Sequence, residues 1–149
     1  MTGAKARLGS GYARLWSASV ISNLGDGVAM VAAPWLASAI TRDPVLLSLV
    51  VVAQRIPWLV FSLPAGVITD RVDRRRVMVW MDLARFTVVA GMAWAITAAG
   101  DVLSDPALVG DDSFTAPPNQ GWWLALIYGA ALAIGFAEVL RDNAAQTIM

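Results

Sequence analysis

Four apolar runs dominate the chain, at about 15–40, 45–69, 77–99 and 122–141. Each approaches or exceeds the roughly 20 residues that a helix needs to cross a hydrocarbon core ~30 Å thick, at a rise of 1.5 Å per residue. A soluble helix buries one stripe and rarely stays apolar on every face for that length. Open strands cannot substitute, because lipid offers no partners for their edge amides and carbonyls. The runs therefore predict an all-α membrane protein with four transmembrane helices. Composition agrees: 58% of the 149 residues are hydrophobic and 15% are charged, against roughly 45–50% and about 25% in soluble domains.

The connections fit this reading. "TRDP" (41–44) is a tight turn in which Pro44 can open the second helix. Residues 100–121 form a longer loop rich in Gly, Pro and Asp. Pro34, Pro57 and Pro64 fall inside apolar runs, where membrane helices tolerate them. Basic residues orient the chain, since they collect on the cytoplasmic side. Lys5, Arg7 and Arg14 precede the first helix, and Arg71, Arg74, Arg75 and Arg76 occupy the second connection. The loop 100–121 carries Asp101, Asp105, Asp111 and Asp112 and no basic residue. This predicts a multi-pass protein of the cell membrane with both termini cytoplasmic, a cytoplasmic tail 1–14 and one domain over 15–149 that holds the four helices and an extracytoplasmic loop 100–121. A basic start, an apolar run and "ASA" (37–39) also outline a secretory signal peptide, but the run is too long and carries Asp26 in its middle.

Orientation explains the arginines of the second connection and leaves its aspartates unexplained. "GVITDRVDRRR" (66–76) resembles the signature between helices two and three of the major facilitator superfamily: Gly, three residues, Asp, a basic residue, any residue, Gly, Arg, then a second basic residue. Gly66, Asp70, Arg71, Arg74 and Arg75 fill it, and Asp73 stands where the second glycine is usual. "SNLGDGVAMVAAPWLAS" (22–38), "QRIPWLVFSLPAG" (54–66) and "AEVLRDNAAQ" (137–146) are similar to bacterial exporters of the enterobactin-exporter type. The resemblance implies part of the amino-terminal six-helix half of a twelve-helix fold, with the remainder of the carrier as a missing partner. It implies a cytoplasmic latch, in which Asp70 braces the loop and Arg74 pairs with Asp142 or Glu138 of the fourth helix.

Charge inside the membrane is costly and needs a partner, a wet cavity or a job. Asp26 lies about eleven residues into the first helix and Arg55 about ten into the second, so both fall near mid-depth, ~15–17 Å from an end. Adjacent antiparallel helices could pair them, either as a structural ion pair or as a protonatable, substrate-facing site. Gly25 and Gly27 flank Asp26 and could allow close approach or local opening. Asp82 and Arg85 are three apart, on one face near the start of the third helix, and could bridge locally. Small residues recur every fourth position at Gly25, Ala29, Ala33 and Ala37, and at Ala125, Gly129, Ala133 and Ala137, as packing seams in lipid do. Trp35, Trp58 and Trp94 lie deep enough to predict core packing.

With no cysteine or histidine and Lys5 as its one lysine, the chain has no thiol chemistry, no histidine relay and no phosphate loop of the G-x-x-x-x-G-K type. Neither a cofactor nor a metal is expected. The net charge of zero gives no hint of a nucleic-acid partner. An enzyme is not expected. The expected function is secondary transport: efflux of a small organic molecule, drug or siderophore, driven by protons, in a lipid bilayer. The chain is expected to be a truncated and inactive portion of the carrier. The rival readings are a complete four-helix multidrug exporter acting as a dimer and a non-transporting membrane assembly subunit.

Overall fold

The computed structural model describes residues 10–100, 103 and 114–146, except the side chains at 10, 11, 13, 15, 67–71 and 146. Lys5 and Arg7, the aspartates of the loop 100–121, and the side chains of Asp70 and Arg71 lie outside the described residues. The chain is an all-α membrane protein of four helices: α1 (Ser10–Ala37), α2 (Pro44–Arg71), α3 (Arg74–Ala99) and α4 (Gln120–Gln146). Each contains a stretch long and apolar enough to cross a membrane. At 26–28 residues the helices are ~39–42 Å long, so their ends project past a ~30 Å hydrocarbon core.

Local chemistry sets the helix ends. The last turn of α1 tightens as Ala39 and Ile40 donate to carbonyls three residues back. Asp43 then caps α2, its carboxylate accepting from the Val45 amide at 2.8 Å, and Pro44 opens the helix without losing a needed N–H. Only Val72 and Asp73 separate α2 from α3. Asp73 has φ −61° and ψ 107°, an ordinary extended conformation, and accepts from the Arg75 amide at 3.1 Å. The position usually held by glycine is here a helix cap, which an aspartate fills well. For the same reason α3 starts at Arg74, three residues before its apolar run. At the far end Gly100 takes φ 54° and its N–H donates to the Thr97 carbonyl, a left-handed stop that glycine adopts at little cost.

Helix α4 is the hub. It packs along α2 and α3, which barely meet each other, while α1 leans mainly on α2. The closest approach is at Gly135: a Cβ there would lie 2.6 Å from the Gln54 carbonyl oxygen and 3.1 Å from Pro57 Cγ. This contact, and not the every-fourth stripe, is where α4 meets α2 backbone. Ala125 and Ala133 are exposed, and an added Cβ on Gly129 would meet nothing within 4 Å. Phe61 and Phe136 stack edge to face beside it, centroids 5.0 Å apart. Near the other end Tyr128 donates to the Leu46 carbonyl at 2.8 Å and Gln120 to the Ile40 carbonyl at 3.0 Å. Two small apolar clusters fill the seams, one around Ile40, Val50 and Ile127 and one around Ala65, Val139 and Leu140.

Elsewhere the bundle turns its apolar side chains outward. Leu59 and Leu63 of α2 are 84% and 87% exposed, and no described residue of α3 is buried. Trp35, Trp58 and Trp94, expected inside, are also exposed. In water such surfaces would aggregate; in a bilayer they are the lipid-facing and helix-facing sides of a membrane bundle.

Candidate functional site

Three helices meet at a cavity of about 170 Å³ within their spanning segments, lined by Asp26 and Met30 of α1, Gln54 and Arg55 of α2, and Gly135 and Glu138 of α4. The Gly135–Gln54 contact forms its base by drawing α2 and α4 together, which turns Gln54 and Glu138 toward the same space. Gln54 donates through Nε2 to the Ala29 carbonyl at 3.2 Å, and its Oε1 is buried without a hydrogen-bond partner.

Asp26 and Arg55 share this cavity but do not pair. Arg55 is exposed, and its Nη2 contacts Met30 Sδ at 3.2 Å. Asp26 is taken instead by Arg85 of α3, whose Nη2 meets Asp26 Oδ1, with both side chains largely buried. The cause lies in helix length. Because α3 begins at Arg74, Arg85 stands eleven residues, ~17 Å, along the helix; it reaches into the bundle and does not stay at the helix end. Gly25 and Gly27 do not mark a close approach, since an added Cβ on either would meet nothing within 4 Å.

The Asp26–Arg85 pair continues into a line of alternating charge. Arg85 Nη1 lies 4.0 Å from Asp82 Oδ1 and donates to Ser22 Oγ at 3.3 Å, while Ser22 in turn donates to Asp82 at 3.3 Å. Asp82 Oδ1 accepts the charge of Arg141, whose Nε is 2.9 Å away, and Arg141 Nη1 is 3.6 Å from Asp142. Three carboxylates thus alternate with two guanidiniums across α1, α3 and α4. The spacing of Asp82 and Arg85 foretells their local contact, whereas their ties to α1 and α4 depend on neighbours that one helix does not reveal. Arg141 is the member that sequence reasoning passed over. Its side chain is 2% exposed.

The remaining site residues are placed as follows. Glu138 is half-buried on the cavity wall and makes no ion pair among the described residues. Arg74 is half-buried at the foot of α3, and Gly66 is half-buried near the end of α2. Arg75 and Arg76 are exposed, with Arg76 Nε 3.6 Å from Asp73. Among the described residues no three acidic groups gather as a metal site.

Chemically, the cavity offers a guanidinium (Arg55), a carboxylate (Glu138) and an amide oxygen (Gln54), none with an ionic or donor partner among the described residues, and a carboxylate (Asp26) whose charge is matched from behind. Such a set can bind a polar or charged group within the spanning region.

Residues 7–115 match the family described as transmembrane secretion effector. The multidrug efflux pump Tap of Mycobacterium tuberculosis is 33% identical over 78% of this chain, and Tap of Mycobacterium bovis is identical to the same degree. The chain spans about a third of the length of these curated relatives, 32% of each. No solved structure matches it. The four-helix architecture, the charged α2–α3 connection and the match over most of the sequence lead to one conclusion: the chain belongs to the transmembrane secretion effector family of the major facilitator superfamily.

Proposed function

We propose that these four helices form part of the amino-terminal half of a proton-driven exporter of small organic molecules. The observation that carries this reading is the cavity in which Asp26, Arg55 and Glu138 converge inside spanning helices. Carriers of this class alternate access by rocking two repeats around a midplane site. Exchange follows when proton and substrate draw on the same carboxylates: a protonated Asp26 or Glu138 offers less to a cationic substrate, and a bound cation displaces the proton. A ligand moves the access equilibrium only by its difference in affinity between the two states. The similarity to multidrug efflux pumps supports export of drug-like compounds.

In this reading the arginine-bearing α2–α3 connection is cytoplasmic, as are both ends of the chain. Asp70, Arg71, Asp73, Arg74 and Arg75 with Asp142 serve as the latch region. Glu138 is the other candidate partner for Arg74 in the latch, and it also lines the cavity. Since the chain covers about a third of its relatives, the four helices alone carry no flux.

The test is split-carrier complementation. The chain is co-expressed with a Tap-type pump lacking its matching third, and ethidium efflux driven by a proton gradient is followed in membrane vesicles. The pair is expected to export, the chain alone to show no flux above empty vesicles, and Asp26→Asn or Glu138→Gln in the pair to abolish export. Flux from the chain alone, or full export by the Asp26→Asn pair, would overturn the reading.

A further inference from the structure

The ion pairs run from the cavity toward the carboxyl end of α4 in one unbroken series: Asp26, Arg85, Asp82, Arg141, Asp142. Only the first member sits on α1. That matters because of how α1 is otherwise held. It packs on α2 and touches α4 over a short stretch, with no packed seam against α3. Its side chains Ile21, Leu24, Val28 and Val31 are 61–71% exposed. The link between α1 and α3 is therefore polar, made by Asp26 and Ser22 against Arg85 and Asp82.

We propose that Arg141, Asp82 and Arg85 are positioning residues which aim the Arg85 guanidinium at Asp26, and that this series is a clasp fixing α1 to the α3–α4 pair, opened when Asp26 loses its negative charge. Arg141 anchors the series because it is buried and cannot retreat to water. It holds Asp82, and Asp82 steadies Arg85 from 4.0 Å. Arg85 has a second carboxylate in reach, so losing Asp26 does not strand its charge. It shifts its weight to Asp82, on its own helix. The groups facing Asp26 are Arg85 from α3, Arg55 from α2 and Glu138 from α4. Arg55 lies on the cavity side and contacts Met30 of α1 itself, so it does not replace the bond to α3. Ser22 remains as a neutral link, weaker than a charge-assisted contact. The clasp thus has two arrangements of one guanidinium, and the charge of one carboxylate chooses between them.

The chain has no cysteine, so pairs of introduced cysteines can be spin-labelled cleanly. In the full chain in lipid nanodiscs, one pair at Ile21 and Phe86 reports the α1–α3 distance, and a control pair at Leu59 and Leu132 reports α2–α4. All four positions are exposed. Asp26→Asn and Arg85→Gln are expected to lengthen and broaden the α1–α3 distribution and leave the control unchanged. Asp26→Glu and Arg85→Lys, which keep the charges, are expected to retain the native distribution. An unchanged α1–α3 distribution in Asp26→Asn would overturn the proposal. So would equal broadening of the control pair, which would make Asp26 a general packing residue. The readout is a distance and not a flux, so failure of the clasp and failure of the transport reading are separable.

Discussion

Arg141 Nε on α4 lies 2.9 Å from Asp82 Oδ1 on α3, with the guanidinium almost fully buried and the carboxylate half open to its surroundings. A cation buried in this way is held by what neutralises it. Removing one partner leaves the other uncompensated, and that loss exceeds the net worth of the pair. The α3–α4 contact is thus polar at this point, beside the apolar packing of Val77 and Met81 against Val139 and Leu140.

Arg141→Ala is expected to destabilise the chain by about 3 kcal/mol, near the low end of the ~3–5 kcal/mol typical of broken buried pairs, because Asp82 can recruit water. Arg141→Met combined with Asp82→Asn should recover more than half of the loss. Urea unfolding in detergent micelles followed by circular dichroism measures both. Equal loss in the single and double variants would show that the pair does not account for the effect.

At Gly135 an added methyl group would sit 2.6 Å from the Gln54 carbonyl oxygen. The obstacle is backbone, which cannot rotate away. Gly135→Ala is expected to cost about 1–3 kcal/mol through overpacking, and Gly135→Val more. Gly129→Ala, with nothing within 4 Å of the new Cβ, should be neutral or slightly stabilising through helix propensity. Thermal unfolding of the three variants in one detergent decides the matter, and equal midpoints for Gly135→Ala and Gly129→Ala would contradict the packing described.

Asp73 occupies the cap position of α3 with its carboxylate on the Arg75 amide. Asp73→Ala is expected to lower stability by about 0.5–2 kcal/mol, whereas Asp73→Gly should cost only a few tenths of a kcal/mol. This ordering distinguishes a helix cap from a general surface charge, since the latter role would treat Ala and Gly alike. Amide hydrogen exchange at Arg75 and Arg76 provides a local check, with faster exchange expected in Asp73→Ala.

Much of the architecture is legible in the sequence for a simple reason. Lipid demands long uninterrupted apolar runs, and turns announce themselves through Pro44, Asp43 and the charges around Asp73. What the sequence hides is rotation. The partner of Asp26 depends on how α1, α2 and α3 are turned about their axes and on which helix lies next to which. Depth alone points Asp26 to Arg55, whereas Arg85, expected to bridge only to Asp82, is the cation that reaches it. Arginines at the foot of α3 look like loop and are helix, which moves Arg85 a turn deeper than an apolar count suggests. Arg141 is buried beside Asp82 of α3, a neighbour that the sequence of α4 does not reveal. Gly135 falls off the small-residue stripe of α4 because the seam follows the Gln54 backbone and the Pro57 ring.

The most direct measurement is the sidedness of the helix connections. In the cysteine-free chain, Arg75→Cys marks the α2–α3 connection and Ala116→Cys the segment before α4. A membrane-impermeant maleimide applied to intact cells is expected to label Ala116→Cys and spare Arg75→Cys, with Arg75→Cys becoming reactive once the membrane is opened. Labelling of Arg75→Cys from outside, or equal labelling of both sites in intact cells, would contradict four helices crossing the bilayer with their arginine-rich connection in the cytoplasm.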